Sequence, residues 1–321
     1  MNYIILILGF ILLIKGADIF VDGASSIAKK IGIPSVIVGL TIVSIGTSSP
    51  ELAVSVISSV QGNNGIALGN VLGSNIFNSL VVLGGTALVM PIIIKKATVK
   101  RDFFVNLLVT LVLFFLTFDS LFFSKENVIS RLDGLILVIL CFIYMFLLIK
   151  SAKNSNIDEN LTEKEKNISI PLKILMSILG ILGIVIGGKL VVDSATNIAY
   201  SLGMSEKLVG LTIVAAGTSL PELVTSIVAA LKGETDIAIG NVLGSNIFNI
   251  LLILGLSSLI SPIPVSKTLI FDFVFLIVVC IFIGALVFFN KNKKVKKLSK
   301  VEGLVLVGLY IGYMVYIIIR N

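Results

Sequence analysis

Two ten-residue strings in this chain are the same letter for letter: Gly69-Asn-Val-Leu-Gly-Ser-Asn-Ile-Phe-Asn78 and Gly240-Asn-Val-Leu-Gly-Ser-Asn-Ile-Phe-Asn249. At the same spacing of 171 residues a second pair falls into register without a gap. It joins Gly46-Thr-Ser-Ser-Pro-Glu-Leu-Ala-Val-Ser55 to Gly217-Thr-Ser-Leu-Pro-Glu-Leu-Val-Thr-Ser226. Upstream, Asp22, Ala24, Ile27, Ala28 and Gly32 coincide with Asp193, Ala195, Ile198, Ala199 and Gly203. The chain is an internal duplication, so whatever one half builds the other builds again.

The duplicated strings lie in apolar surroundings. Of the 321 residues, 56% are hydrophobic and 13% charged, with a mean hydropathy of +1.10, which marks an integral membrane protein. Apolar runs of about 18 to 30 residues, each long enough for a bilayer core, recur along the chain. Ten are expected, near 3–27, 33–60, 65–94, 103–123, 128–149, 170–199, 207–231, 236–261, 268–289 and 301–319. The first carries Lys15, Asp18 and Asp22 and lacks the pattern of a cleaved signal peptide, so it is expected to stay in the mature protein. The polar stretch between the halves, rich in Lys, Glu and Asn, reads as a solvated linker. The expected organisation is therefore a first half over 1–150, a cytoplasmic linker over 151–169 and a second half over 170–321. Five spans per half is an odd number, so the second copy enters the membrane from the opposite face. An all-α membrane protein of ten transmembrane helices in two inverted repeats is the expected fold, an architecture that places transport sites where broken helices meet at the midplane.

Several function classes fall away. There is no histidine, which excludes imidazole metal sites and His-based catalysis, and no GxxxxGK[ST] string to couple ATP hydrolysis. Cys141 and Cys280 each sit within an apolar run as structural thiols. The formal charge of +7 flanks the spans instead of forming a nucleic-acid surface. Counting loops alternately puts 18 cations on one side against 5 on the other, so the positive-inside rule places both termini outside the cytoplasm. The cluster Lys291 to Lys300 reads as a topology signal that can also meet anionic lipid. No enzyme chemistry is expected, because the intramembrane polar residues offer oxygen ligands and no nucleophile. No cofactor and no obligate protein partner are expected.

Pro50 has no amide hydrogen and its ring collides with the carbonyl of Gly46; Pro221 and Gly217 repeat the arrangement. The helix should break at each, freeing carbonyls over 44–47 and 215–218, Ser44 and Ala215 among them. A lone proline would be only a kink. An ionised glutamate near the bilayer centre costs at least ~2.5 kcal/mol and therefore faces a cavity or a partner. Glu51 follows Thr47 by one turn, with Ser48 and Ser44 close by; Glu222 repeats this with Thr218 and Ser219. In the next span Ser74 and Asn78 stand four apart, as do Ser245 and Asn249. An isolated serine or threonine would more often glue helices together, but the duplication at matching positions argues for a shared task. Asn70, Asn75, Asn241 and Asn246 are weaker candidates, and Gly69, Gly73, Gly240 and Gly244 are expected to let helices approach. Lys15, Lys189, Asp18, Asp22 and Asp193 are kept outside the site. The oxygen inventory suits a hard cation: one calcium with about six to eight ligands, or several sodium ions, and magnesium less well.

These strings resemble the α-repeats of the cation/calcium antiporter superfamily, and more narrowly those of the sodium/calcium exchanger family. The likeness covers nearly the whole chain in span count, and its specific part is residues 39–79 and 210–250. What it implies is a ten-helix antiporter that binds calcium and sodium between helices 2, 3, 7 and 8, with helices 1 and 6 sliding across that core. Glu51 and Glu222 would be the central ligands. Thr47 and Thr218 would add hydroxyl and carbonyl oxygens, and Ser48, Ser219, Ser74 and Ser245 would complete sodium sites. The carbonyls of Ser44 and Ala215 would be further ligands. Some relatives carry an aspartate where Asn249 stands; with Asn78 and Asn249 both neutral, three sodium ions exchanged for one calcium would be electrogenic, and potassium coupling is argued against. A calcium/proton antiporter on the same scaffold is the alternative, although such proteins usually carry an additional acid that is absent here.

Overall fold

Glycine recurs every seven residues along the first apolar run, at Gly9, Gly16 and Gly23, and the repeat mates of the first two are Gly180 and Gly187. The protein is described here by a computed structural model over residues 2–118, 127–153, 169–203, 215–289 and 295–320. In it these glycines form one seam between α1 (Asn2–Ile31) and α6 (Ile170–Ser201). A Cβ on Gly16 would stand 2.7 Å from the Ile184 nitrogen, and one on Gly187 2.5 Å from the Leu13 nitrogen. Backbone meets backbone there, which is how membrane helices gain packing without a hydrophobic driving force.

The other helices follow in order. They are α2 (Ser35–Thr47 and Ser49–Val60), α3 (Asn64–Val89), α4 (Lys96–Thr117), α5 (Arg131–Lys153), α7 (Leu220–Leu231), α8 (Thr235–Ile260), α9 (Lys267–Phe288) and α10 (Lys300–Arg320). Seven helices among the described residues are long and apolar enough to span a bilayer, and the two limbs of α2, bent by 49°, make an eighth span. The expectation of ten is not met in full. α4 has 22 residues but carries Lys96, Lys100, Arg101 and Asp102 in its first two turns, while α7 has 12, and residues 207–214 of its expected run lie outside the described residues. Most of the expected linker lies outside them too, as do Lys125, Lys164, Lys166, Lys207, Lys291, Lys293 and Lys294.

The two halves share local backbone geometry at matched positions. Gly62 and Gly233 adopt φ of 78° and 79°, the left-handed region that glycine enters without a Cβ clash. The residues that follow, Asn63 and Glu234, have φ/ψ of −86°/53° and −85°/54°. One feature departs from the all-α expectation: short antiparallel ribbons join loops of the two halves. Ile92–Lys95 pairs with Val295–Leu298, and Val128–Ile129 with Ile263–Pro264, because β-branched residues at the helix ends favour extended backbone that needs partners.

Burial sorts the helices into layers. Across the most apolar stretch, 94% of α8 and 72% of α3 is buried, against 17% of α10, whose side chains such as Leu304 and Ile311 face outward as lipid would require. Cys141 and Cys280 are buried and unpaired, as expected of structural thiols.

Two matched polar clamps tie the outer helices. The Tyr144 hydroxyl donates to Asp102 at 3.2 Å, joining α5 to α4, and the Tyr313 hydroxyl donates to Asp272 at 2.9 Å, joining α10 to α9. Each buried aspartate also meets an arginine, Arg101 and Arg320 respectively. At the Lys29 end of α1 a further cluster links the halves: Lys232, in the turn after α7, pairs with Asp18 at 2.8 Å and Asp22 at 2.6 Å, and Lys29 pairs with Glu234 at 2.7 Å. Sequence reasoning kept Asp18 and Asp22 outside the site but paired none of these groups, since apart from the neighbours Arg101 and Asp102 the partners lie in distant segments.

Candidate functional site

The break in α2 is a single residue wide. Ser48 takes φ/ψ of −80°/9° between the two limbs, and Pro50 opens the second limb, where its missing N–H costs nothing. Ser219 takes −92°/7°, and Pro221 opens α7 in the same way. Glu51 and Glu222 therefore fall in the first turn of a helix, where the positive end of the helix dipole favours a carboxylate.

Both carboxylates are fully buried, and their hydrogen bonds cross between the halves. Ser48 Oγ donates to Glu222 Oε1 at 2.7 Å, and Ser219 Oγ donates to Glu51 Oε1 at 2.9 Å. A second, longer contact comes from the neighbouring helix of the same half: Ser74 to Glu51 Oε1 and Ser245 to Glu222 Oε1, each at 3.4 Å. Ser48 and Ser245 also approach one another at 3.0 Å. Each glutamate is thus reached from two helices and from both copies of the repeat. The other oxygen, Oε2, has no hydrogen-bond partner among the described residues in either glutamate.

Thr47 and Thr218 are buried beside the breaks. The Thr47 hydroxyl lies 3.0 Å from Asn241 Oδ1, and the Thr218 hydroxyl lies 3.3 Å from Asn70 Oδ1. Asn78 and Asn249 open wide π-helical turns, Asn78–Val82 and Asn249–Leu254, a distortion that recurs at functional sites. Both are fully buried. Asn249 donates to Asn75 Oδ1 at 3.0 Å and leaves its own Oδ1 unpartnered, while neither polar atom of the Asn78 side chain has a partner among the described residues.

The expected freeing of carbonyls is corrected at Ser44 and Ile45. The Ser44 carbonyl accepts the Ser48 amide at 2.9 Å and the Thr47 hydroxyl at 3.3 Å, and the Ile45 carbonyl accepts the Ser49 hydroxyl at 3.1 Å. So narrow a break leaves the neighbouring amide in place, and nearby hydroxyls fold back onto the chain. What proline removes is the donor to Gly46. Ala215 begins the short helical turn Ala215–Gly217 ahead of Ser219. Ser44 itself packs against Gly244, where a Cβ would stand 2.5 Å from its Oγ, so Gly244 does allow the close helix approach expected of it. A Cβ on Gly240 would likewise stand 2.5 Å from the Val36 carbonyl, but one on Gly69 or Gly73 would meet nothing within 4 Å, so the close approach expected of those two is not found.

The asparagines rated as weak candidates hold more of the site than their spacing suggested. Asn70 and Asn241 bracket their own broken helix and touch the opposite half, and Asn75 and Asn246 join α3 to α8 through Asn246 O at 3.1 Å and Ser79 Oγ at 2.9 Å. The available signal was the letter-for-letter identity of the two strings across asparagine positions. Among the described residues no three His, Cys, Asp or Glu side chains gather, so a cation held here would rely on two carboxylates and neutral oxygens.

Comparison with known proteins agrees with this geometry. The family model described as sodium/calcium exchanger protein matches residues 1–150 and 172–319. Sodium/calcium exchanger MaX1 of Methanosarcina acetivorans is 36% identical over 347 aligned positions, covering 98% of this chain and 97% of that protein. Inner membrane protein YrbG of Escherichia coli is 38% identical, covering 80% of this chain and 79% of its own. A solved structure of the sodium-calcium exchanger NCX_Mj, soaked with zero sodium and calcium, superposes with a TM-score of 0.82 at 32% identity, over 98% of both chains. Two buried glutamates on broken, duplicated helices and a match along nearly the whole length lead to one conclusion: this chain belongs to the sodium/calcium exchanger protein family.

Proposed function

We propose that this multi-pass membrane protein, a cation/calcium antiporter by family, exchanges sodium for calcium across the cytoplasmic membrane by alternating access. In this reading residues 1–150 and 170–321 are inverted five-helix halves joined by a cytoplasmic linker over 151–169, and both termini lie outside. The observation that carries it is the reciprocal wiring of Glu51 and Glu222, each bonded to a serine of the other half and each keeping one oxygen without a partner.

The chemistry follows from the donor set. Glu51 and Glu222, with oxygens of Thr47 and Thr218, would supply calcium with the hard oxygen shell it takes at about 2.3 to 2.6 Å. The Ser48 and Ser219 hydroxyls satisfy the carboxylates by donating to them; on ion entry they would rotate, give up those hydrogen bonds while keeping their protons, and turn lone pairs inward. Ser74, Ser245, Asn78 and Asn249, with the carbonyls of Ser44 and Ala215, would complete flanking sodium sites. At Ser44 the ion would displace the longer Thr47 hydroxyl bond. The C-terminal end of the first α2 limb aims its negative dipole toward the break, which favours a cation. Two glutamate charges balance one calcium, whereas three sodium ions would carry one positive charge in excess, so a three-for-one exchange would be electrogenic.

The test is radiolabelled calcium uptake into proteoliposomes with sodium, potassium and proton gradients imposed one at a time. Uptake driven by sodium alone, and lost in Glu51→Gln and Glu222→Gln, is expected. Uptake driven by a pH gradient and indifferent to sodium would reject the reading in favour of calcium/proton antiport.

A further inference from the structure

Asn70 and Asn241 carry a more specific role than bracing. The Asn241 amide nitrogen lies 3.2 Å from the Glu222 backbone carbonyl and 3.0 Å from Ser226 Oγ. A carbonyl only accepts, so the atom facing it must be the nitrogen, and this fixes the flip of the amide. Oδ1 is then the atom that faces Thr47, and an amide oxygen also only accepts. The Thr47 hydroxyl is therefore the donor. The Ser44 carbonyl at 3.3 Å and the neighbouring Glu222 carboxylate are acceptors as well, so the single proton has three acceptors to choose from, and Asn241 Oδ1 at 3.0 Å makes a shorter contact than the Ser44 carbonyl. The other half repeats the arrangement: Asn70 Nδ2 lies 3.3 Å from the Glu51 carbonyl and 3.0 Å from Ser55 Oγ, and Asn70 Oδ1 takes the proton of Thr218.

We propose that Asn241 and Asn70 are positioning residues: each takes up the hydroxyl proton of the opposite half's threonine, so that Thr47 and Thr218 present only acceptor oxygens to the transported cation. The proposal rests on the ion site described above. It also separates the hydroxyls into two classes. Ser48 and Ser219 spend their protons on the carboxylates and must turn when an ion arrives, whereas Thr47 and Thr218 are already turned. The same asparagines tie each glutamate's helix to the other half's threonine, so the four ligands keep their spacing while the outer helices move.

The test is calcium binding to the purified full chain in sodium-free detergent, by isothermal titration. Asn241→Ala and Thr47→Val should each weaken calcium binding by about 10- to 100-fold, the usual effect of losing a group that orients a metal ligand. Thr47→Ser, which keeps the hydroxyl, should stay within about twofold of the parent, and the double variant Thr47→Val with Asn241→Ala should be no weaker than either single one. Parental affinity in Asn241→Ala, or losses that multiply in the double variant, would overturn the proposal. Retention of calcium binding in Glu222→Gln would instead remove the ion site itself, a separate failure. Melting in the absence of calcium checks folding. Should Asn241→Ala not yield monodisperse protein, the cycle of Asn70→Ala with Thr218→Val decides the question by the same criteria, at the less buried of the two asparagines.

Discussion

Ser48 donates its hydroxyl hydrogen to Glu222, a residue 174 positions away, at 2.7 Å. Its repeat mate Ser219 does the same for Glu51, so neither carboxylate is completed by its own half. Neutralising one carboxylate removes a charge that the other half was built to meet. Losing one member of a buried charge pair costs about 3 to 5 kcal/mol, so Glu51→Gln and Glu222→Gln should each lower calcium affinity by roughly 10²- to 4 × 10³-fold. Titration calorimetry on the two variants checks this, and a large effect in one with none in the other would contradict the reciprocal site.

The α1–α6 seam predicts a contrast between glycines. Gly16→Ala drives a methyl group to 2.7 Å from the Ile184 backbone nitrogen, which cannot move aside, and overpacking of this kind costs about 1 to 3 kcal/mol. Gly284→Ala in α9 meets nothing within 4 Å and removes a flexible residue from a helix, so it should be neutral or stabilising by up to about 1 kcal/mol. Thermal melting in one detergent compares the two.

The two aspartate clamps should behave alike. Tyr144→Phe and Tyr313→Phe each delete one hydrogen bond to a buried carboxylate, an effect of about 1.5 to 3 kcal/mol, and leave the ring in place. Both should lower the melting temperature while calcium affinity is unchanged. A fall in affinity would place the clamps in the site and not in the frame around it.

Lys232 gives a pH dependence of known sign. Partial burial disfavours its ammonium, but hydrogen bonds and charge from Asp18 and Asp22 outweigh this and hold it above the ordinary lysine value of 10.5. A raised value in the folded state means the stabilisation is full below the ordinary value and fades as pH rises through the raised one. Both aspartates are nearly half exposed, so screening limits the effect to at most about 1 kcal/mol. Lys232→Met should melt slightly below the parent at about pH 8, and the difference should shrink only as pH rises beyond the ordinary lysine value of 10.5.

Particular residues show how far the sequence could be read. Pro50 and Pro221 break helices because a missing amide and a ring clash are properties of the residue itself, and both breaks occur where expected. Glu51 and Glu222 are buried because charge within an apolar run must turn inward, and the helix order α2, α3, α7, α8 around them follows from the repeat. The freed carbonyl at Ser44 was misjudged. Whether the Ser48 amide and the Thr47 hydroxyl would reach it depends on a break only one residue wide, and no composition or spacing encodes that width.

The sequence by itself determined the duplication, the apolar lengths, the break points and the inventory of oxygens, since each arises from residue chemistry acting over one or two turns. Tertiary structure alone decided which serine serves which glutamate, which asparagine takes a threonine's proton, and that α1 lies along α6. The hydrogen-bonded pairings join residues 148 to 194 positions apart, and their geometry exists only once the two halves have met.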